Sequence, residues 1–271
     1  MAKKIRKNTD RSQTQIPLHA ANNVFEAAFF ADPSSERRQS RMNERGAEKK
    51  WHPLDEQIDR NRDKKYVKNV KPRTDGQRSL MEAIDRHNLT LAIGPAGTGK
   101  TYLAISAAVE ALEAGTIDRI VLTRPAMEAG ESLGYLPGDM QEKMAPYLRP
   151  LYDALGDRIG GKRVKQYLED GTIEIAPVGF MRGRTLNNAF VVIDEAQNCT
   201  YSQLKMLLSR LGWNSTMVIT GDPDQSDLLD GMSGLASISQ KLEMVDDIAV
   251  IRLNQVDIVR HPLVARMLDV I

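Results

Sequence analysis

The stretch LTLAIGPAGTGKTYLA, Leu89 to Ala104, sets five apolar or β-favouring residues directly before a glycine-rich turn, and a helix-forming run directly after it. The turn itself, Gly94-Pro95-Ala96-Gly97-Thr98-Gly99-Lys100-Thr101, matches G-x-x-x-x-G-K-[ST] at every position. Small residues let successive backbone N–H groups face a phosphate, and the positive end of the following helix adds to them. Lys100 is placed to neutralise β- and γ-phosphates, and the Thr101 hydroxyl to ligate Mg²⁺. A structural loop would also tolerate glycines, but the strand–loop–helix setting favours a triphosphate site running from Gly94 through Tyr102.

Outward from this loop the chain alternates strands and helices. GQRSLMEAIDRH precedes it as a helix with Leu80, Ala83, Ile84 and His87 on one side. Lys100 to Ala114 reads as a helix closed by Gly115. Further strands are expected at RIVLT (Arg119 to Thr123), TIEIA (Thr172 to Ala176), FVVID (Phe190 to Asp194), TMVIT (Thr216 to Thr220) and IAVIRL (Ile248 to Leu253). Helices around 140 to 156, 162 to 169, 201 to 211, 234 to 244 and 261 to 269 fill the intervals. Strands this apolar, separated by helices, predict an α/β fold with a mostly parallel sheet covered on both faces.

Two more strand ends carry chemistry. FVVIDEAQ brings Asp194 and Glu195 to the C-terminal edge of a buried strand, where open α/β sheets bind ligands. Asp194 is the expected Mg²⁺ ligand beside Thr101, and Glu195 the group that polarises the attacking water. TMVITGDPDQ ends on Gln225, whose amide can touch a γ-phosphate and a lytic water together and so distinguish triphosphate from diphosphate. A turn with a solvent-facing glutamine is the plainer reading of the same residues. Gln77 is a candidate for the adenine edge. Arg124, Arg182, Arg184 and Arg260 are either surface ion-pair partners or bidentate phosphate forks, within one subunit or across an interface. His261 reads as a helix-start residue rather than a metal ligand.

Residues 1 to 73 are of different composition, polar and rich in mixed charge. They form an expected N-terminal extension, basic and partly disordered, ahead of a domain spanning 74 to 271. VFEAAFFA (Val24 to Ala31) is its one short apolar helix candidate. With 37 basic and 36 acidic residues the formal net charge is only +1, so any attraction to nucleic acid must come from local runs. MAKKIRKNTDR and KKYVKNVKPR (Lys64 to Arg73) are such runs, either solvated or in contact with phosphates. The single cysteine, Cys199, excludes an intramolecular disulfide. No secretory leader follows the charged start and no run reaches membrane-spanning length, so the expected setting is the cytoplasm, without a membrane partner.

The loop, the long segment TRPAMEAGESLGYLPGDMQEKMAPYLRPLYDAL, IEIAPVGFMRGRTL, FVVIDEAQNCT, and TGDPDQSDL with VRHPLV together resemble the PhoH-like proteins, bacterial P-loop ATPases of the helicase-like, RecA-type branch. The resemblance runs from about Gln77 to the C-terminus and leaves the basic extension outside it. It implies a three-layer P-loop NTPase fold that binds ATP at Gly94 to Thr101. It also implies metal coordination by Thr101 and Asp194, catalysis by Glu195 with Lys100, sensing by Gln225, and adenine contact by Gln77. Members are associated with RNA metabolism, with an endoribonuclease of ribosomal RNA maturation, and with homo-oligomers such as a hexameric ring. Helicases of superfamily 1 close two RecA-like domains around one ATP, whereas this sequence carries one. A neighbouring subunit would then supply the second wall, with Arg260 as its first arginine candidate. The functional expectation is an ATPase coupled to RNA binding or remodelling. The alternative is a nucleotide-gated adaptor for an RNA-processing enzyme, with little turnover. A small-molecule kinase would need an acceptor pocket, for which Arg124 to Arg149 is the available segment. A nuclease would need a second carboxylate cluster or a histidine pair, and the sequence offers neither.

Overall fold

The computed structural model describes residues 70–125, 140–229, 231–259 and Met267. The basic start, the Val24 to Ala31 helix candidate, most of the Lys64 to Arg73 run and the expected 261 to 269 helix lie outside the described residues, apart from Met267.

In chain order the elements are α1 (Asp75–Arg86), β1 (Leu89–Ile93), α2 (Lys100–Glu113), β2 (Arg119–Arg124), α3 (Met140–Ile159), α4 (Gly161–Glu169), β3 (Ile173–Pro177), β4 (Ala189–Ile193), α5 (Tyr201–Leu208), β5 (Thr216–Gly221), α6 (Leu235–Leu242) and β6 (Ile248–Arg252). Local chemistry explains the boundaries. Thr74 caps α1 by accepting the Gln77 N–H, and the Thr200–Gln203 capping box opens α5. After α2, the Gly115 N–H returns to Leu112 O and the Thr116 N–H to Ala111 O, a Schellman ending with Gly115 at φ +70°. His87 departs from expectation. It stands beyond α1 in extended backbone, and its ring Nδ1 meets Ala83 O at 3.0 Å, closing the helix instead of extending its apolar face.

The six strands form one sheet in the order β3-β2-β4-β5-β1-β6, and every neighbouring pair is parallel. Side chains alternate between two cores. Ile120, Leu122, Phe190, Val192 and Val218 join Leu80, Leu103, Ile105, Leu151 and Val164 on the side of α1 to α4. Val121, Val191, Ile193, Met217 and Ile219 join Leu204, Leu207, Leu235 and Ile238 on the side of α5 and α6. The result is the three-layer α/β architecture expected, with a fully parallel sheet of RecA or helicase type.

Because all strands run the same way, their C-terminal ends share one edge. β5 lies between β1, which ends in the phosphate loop, and β4, which ends at Asp194. Residues 93 apart in sequence, Thr101 and Asp194, meet above that central strand.

Leu122 has no solvent exposure and sits inside the first core. Leu122→Ala is expected to cost about 2–5 kcal/mol, since truncation of a buried leucine leaves a cavity that relaxes only partly. Urea unfolding should show a lower midpoint with an unchanged slope.

Candidate nucleotide site

The phosphate loop is held in shape before any ligand arrives. Gly94 adopts φ +143°, and a Cβ there would lie 2.2 Å from Leu253 O, so no side chain fits. Its N–H donates to Gly221 O at 3.1 Å, tying the loop to β5. Gly97 and Gly99 are left-handed, at φ +83° and +85°. Thr98 donates its hydroxyl to Pro95 O, and Gly97 O accepts the Val259 N–H at 3.0 Å. Gln77 braces the far side. Its Nε2 donates to Thr98 O at 2.9 Å, while its Oε1 accepts the Arg73 N–H. The amide expected at an adenine edge is thus buried and engaged with the loop itself. No side chain caps α2 at Gly99, which leaves its first amides to face an anion. Ala96 is exposed on the loop, and Tyr102 is exposed on the first turn of α2.

Lys100 folds back on the loop. Its Nζ donates to Gly94 O at 2.6 Å and Pro95 O at 2.8 Å. Burial pulls its pKa below the ordinary 10.5, opposed by the charges of Asp222, Glu195 and Asp194. The cation is therefore held in a partly desolvated position next to three carboxylates, ready to exchange carbonyls for phosphate oxygens.

Asp194 is almost fully buried just beyond β4. Its Oδ1 accepts two hydroxyl hydrogens, from Thr101 at 2.6 Å and from Thr220 at 2.7 Å. Arg124, at the end of β2, lies 3.8 Å from Asp194 Oδ2 and 3.4 Å from Glu195 Oε1. Glu195 stands at φ +52°, an uncommon value for a side chain of its size, and its carboxylate is held between Arg124 on Oε1 and Gln197 on Oε2. Among the described residues no group of three His, Cys, Asp or Glu could hold a metal by protein ligands alone. That fits Mg²⁺, which takes one or two carboxylates and completes its shell with water and substrate phosphates. The hydroxyl of Thr101 and the carboxylate of Asp194 supply the donors such a site needs.

The third strand end docks on the second. Gln197 Nε2 donates to Glu195 Oε2 at 2.5 Å, and its Oε1 accepts the Asp222 N–H at 3.1 Å. Ser226 donates to Gln197 O, while Asn198 and Asp227 exchange two hydrogen bonds. The short turns Ala196–Asn198 and Pro223–Gln225 therefore pack as one body. Gln225 is exposed at the end of its turn, on a cleft of ≈ 570 Å³ shared with Gly94, Pro95, Asp222 and Asn254.

The arginines separate by what they touch. Arg124 belongs to the carboxylate cluster of its own chain. Arg184 forms a two-pronged pair with Glu174 at 2.5 and 2.6 Å, and Arg182 is exposed. Arg260 and His261 lie outside the described residues, although Val259, immediately before Arg260, is the residue bonded to Gly97. Sequence reasoning did not single out Thr220, Gln197 or Asp222. The only signal for them was position, each being within three residues of a strand end already marked.

Comparison with known proteins gives the family. The profile of the "PhoH-like protein" family matches residues 69–271. The chain belongs to the PhoH-like family. It is 56% identical over 203 residues to a PhoH-like protein of Bacillus subtilis, covering 74% of this chain and 64% of that protein. A PhoH-like protein of Synechocystis is 53% identical over 201 residues, covering 74% and 61%. Protein PhoH of Escherichia coli is 43% identical over 210 residues, covering 76% and 59%. The matched part thus spans roughly three-fifths of each relative. The PhoH-like match begins at residue 69, so the basic start lies outside it.

If this PhoH-like domain takes ATP at this loop, the lowered pKa of Lys100 gives that affinity a pH dependence. The ammonium is present below the lowered value and is lost as pH rises through it, so affinity should decline at a pH below an ordinary lysine's range. Bound phosphates favour the charged form, so binding there should take up a proton. Calorimetry in buffers of different ionisation enthalpy checks this, and Lys100→Ala should bind weakly with no such dependence. Glu195→Gln should keep ATP affinity while slowing single-turnover hydrolysis by roughly 10²- to 10⁴-fold, the range for losing a positioned base.

Proposed function

We propose that this chain binds ATP with Mg²⁺, hydrolyses it to ADP and phosphate, and couples that cycle to RNA binding or remodelling. The observation that carries the reading is the meeting of Thr101, Asp194 and Glu195 beside Lys100. A loop that only bound nucleotide would need no second carboxylate beside Lys100. In this reading Lys100 leaves the Gly94 and Pro95 carbonyls and neutralises the β- and γ-phosphates. Thr101 and Asp194 would hold Mg²⁺, which would supply charge neutralisation to the phosphates. Glu195 accepts a proton from water as the water oxygen bonds to the γ-phosphorus and the bond to the ADP oxygen breaks. Gln197 and Arg124 hold that carboxylate in place, and Gln225 reads the γ-phosphate from the adjoining turn.

RNA coupling rests on the basic runs before residue 74 and on the family's associations with RNA metabolism. A homo-oligomer is part of the same reading: among the described residues there is one RecA-like domain, and a second copy is the proposed source of the wall facing the γ-phosphate. Arg260 is its proposed arginine across the interface, since Arg184 is engaged by Glu174 and Arg124 by its own site. An endoribonuclease of ribosomal RNA maturation is the partner class that fits the adaptor alternative.

The test is steady-state ATP hydrolysis with and without defined single-stranded RNAs, with oligomer size measured on the same sample. RNA is expected to raise turnover and to bind with a steep salt dependence. A chain beginning near Arg73 should keep ATP binding and lose about 0.7 in log–log salt slope for each phosphate contact removed. ATP binding without turnover would favour the adaptor, and identical salt slopes for both chains would remove the basic runs from RNA contact.

A further inference from the structure

We infer that Thr220 is a positioning residue for the metal, holding the Asp194 carboxylate in place from the sheet, on the oxygen it shares with Thr101. The inference rests on the nucleotide-site reading above and deepens it. Asp194 Oδ1 accepts hydrogens from both Thr101 and Thr220. A hydroxyl has one hydrogen to donate and two lone pairs, so Thr101 can keep its bond to the carboxylate while offering a lone pair to a cation. Thr101 lies on α2 beside the phosphate loop, so its position is tied to the loop and to the ligand the loop takes.

Thr220 is under no such demand. It lies on β5, fully buried, between β1 and β4. Its other nearby acceptor is Ile193 O at 3.4 Å, a longer contact than the 2.7 Å bond to Asp194. The ion-pair partner of Asp194 among the described residues, Arg124, stands 3.8 Å from the opposite oxygen and is shared with Glu195. Thr220 is therefore the contact on Oδ1 that belongs to the sheet alone, and its hydroxyl sets where the carboxylate points as the cation arrives. Partners of metal ligands in this position commonly change metal affinity or activity by roughly 10–100-fold when lost.

The experiment is calorimetric titration of the full chain with ATP, first in chelator and then at graded Mg²⁺, alongside ATP turnover at each Mg²⁺ concentration. Thr220→Val keeps the shape and removes the hydrogen. It should bind metal-free ATP as the wild type does, need roughly 10–100-fold more Mg²⁺ to reach half its full affinity and turnover, and recover turnover at high Mg²⁺. Thr220→Ser should restore the wild-type titration. If the valine variant does not fold, Thr220→Ala removes the same hydroxyl without adding a methyl group, and the same titration applies. A Thr220→Val titration that superimposes on the wild type overturns the inference and leaves the nucleotide-site reading standing. Wild-type ATP binding and turnover indifferent to Mg²⁺ would overturn that reading and the inference together.

Discussion

Three strands meet at one oxygen. Asp194 Oδ1 receives the hydroxyl of Thr101 from the helix that follows β1, and the hydroxyl of Thr220 from β5, while Asp194 itself follows β4. A buried carboxylate must be paired or hydrogen-bonded to remain charged. The strand order β4-β5-β1 lets two short side chains satisfy one of its oxygens, while Arg124 stands 3.8 Å from the other. The parallel sheet is the precondition, because antiparallel neighbours would send these strand ends to opposite edges.

The same economy organises the rest of the edge. The phosphate loop is fastened from several directions, by Gly221 of β5, by Gln77 of α1 and by Val259 beyond β6. A loop so restrained loses little conformational freedom when a ligand arrives, which is what preorganisation means energetically. The carboxylate turn is likewise joined to the turn bearing Gln225 through Gln197, Asn198, Ser226 and Asp227. Movement of Gln225 therefore bears directly on Glu195. Lys100 is the least settled member, a desolvated cation resting on carbonyls that phosphate oxygens can replace.

Much of the fold was legible from residue order. Leu89 to Ile93 was bounded as observed, because its apolar run ends abruptly at Gly94. α2 stopped one residue before its expected end, at the Gly115 turn. Strand positions elsewhere shifted by a residue, as they do where pairing with a neighbour decides the last bond; the Asp194 N–H still reaches Thr123 O although β4 ends at Ile193. The short turns at Val178–Met181, Ala196–Asn198, Pro223–Gln225 and Gln255–Asp257 are too brief to show a period, and the sequence reading passed over them.

Residue types and spacing alone determined the phosphate loop, the paired carboxylates at a strand end, the glutamine beyond the next strand and the parallel sheet that carries them. Each is a local pattern, written within about ten neighbouring positions. Tertiary structure alone decided which of the many polar residues at that edge face one another. Thr220 and Asp194 are 26 residues apart and Arg124 and Glu195 are 71 apart, and no periodicity connects them. Only the order in which β2, β4, β5 and β1 lie side by side puts a threonine between Asp194 and the phosphate loop, and directs Gln77 to brace that loop. Strand order is set by packing helices against both faces of the sheet, a property of the whole core rather than of any segment.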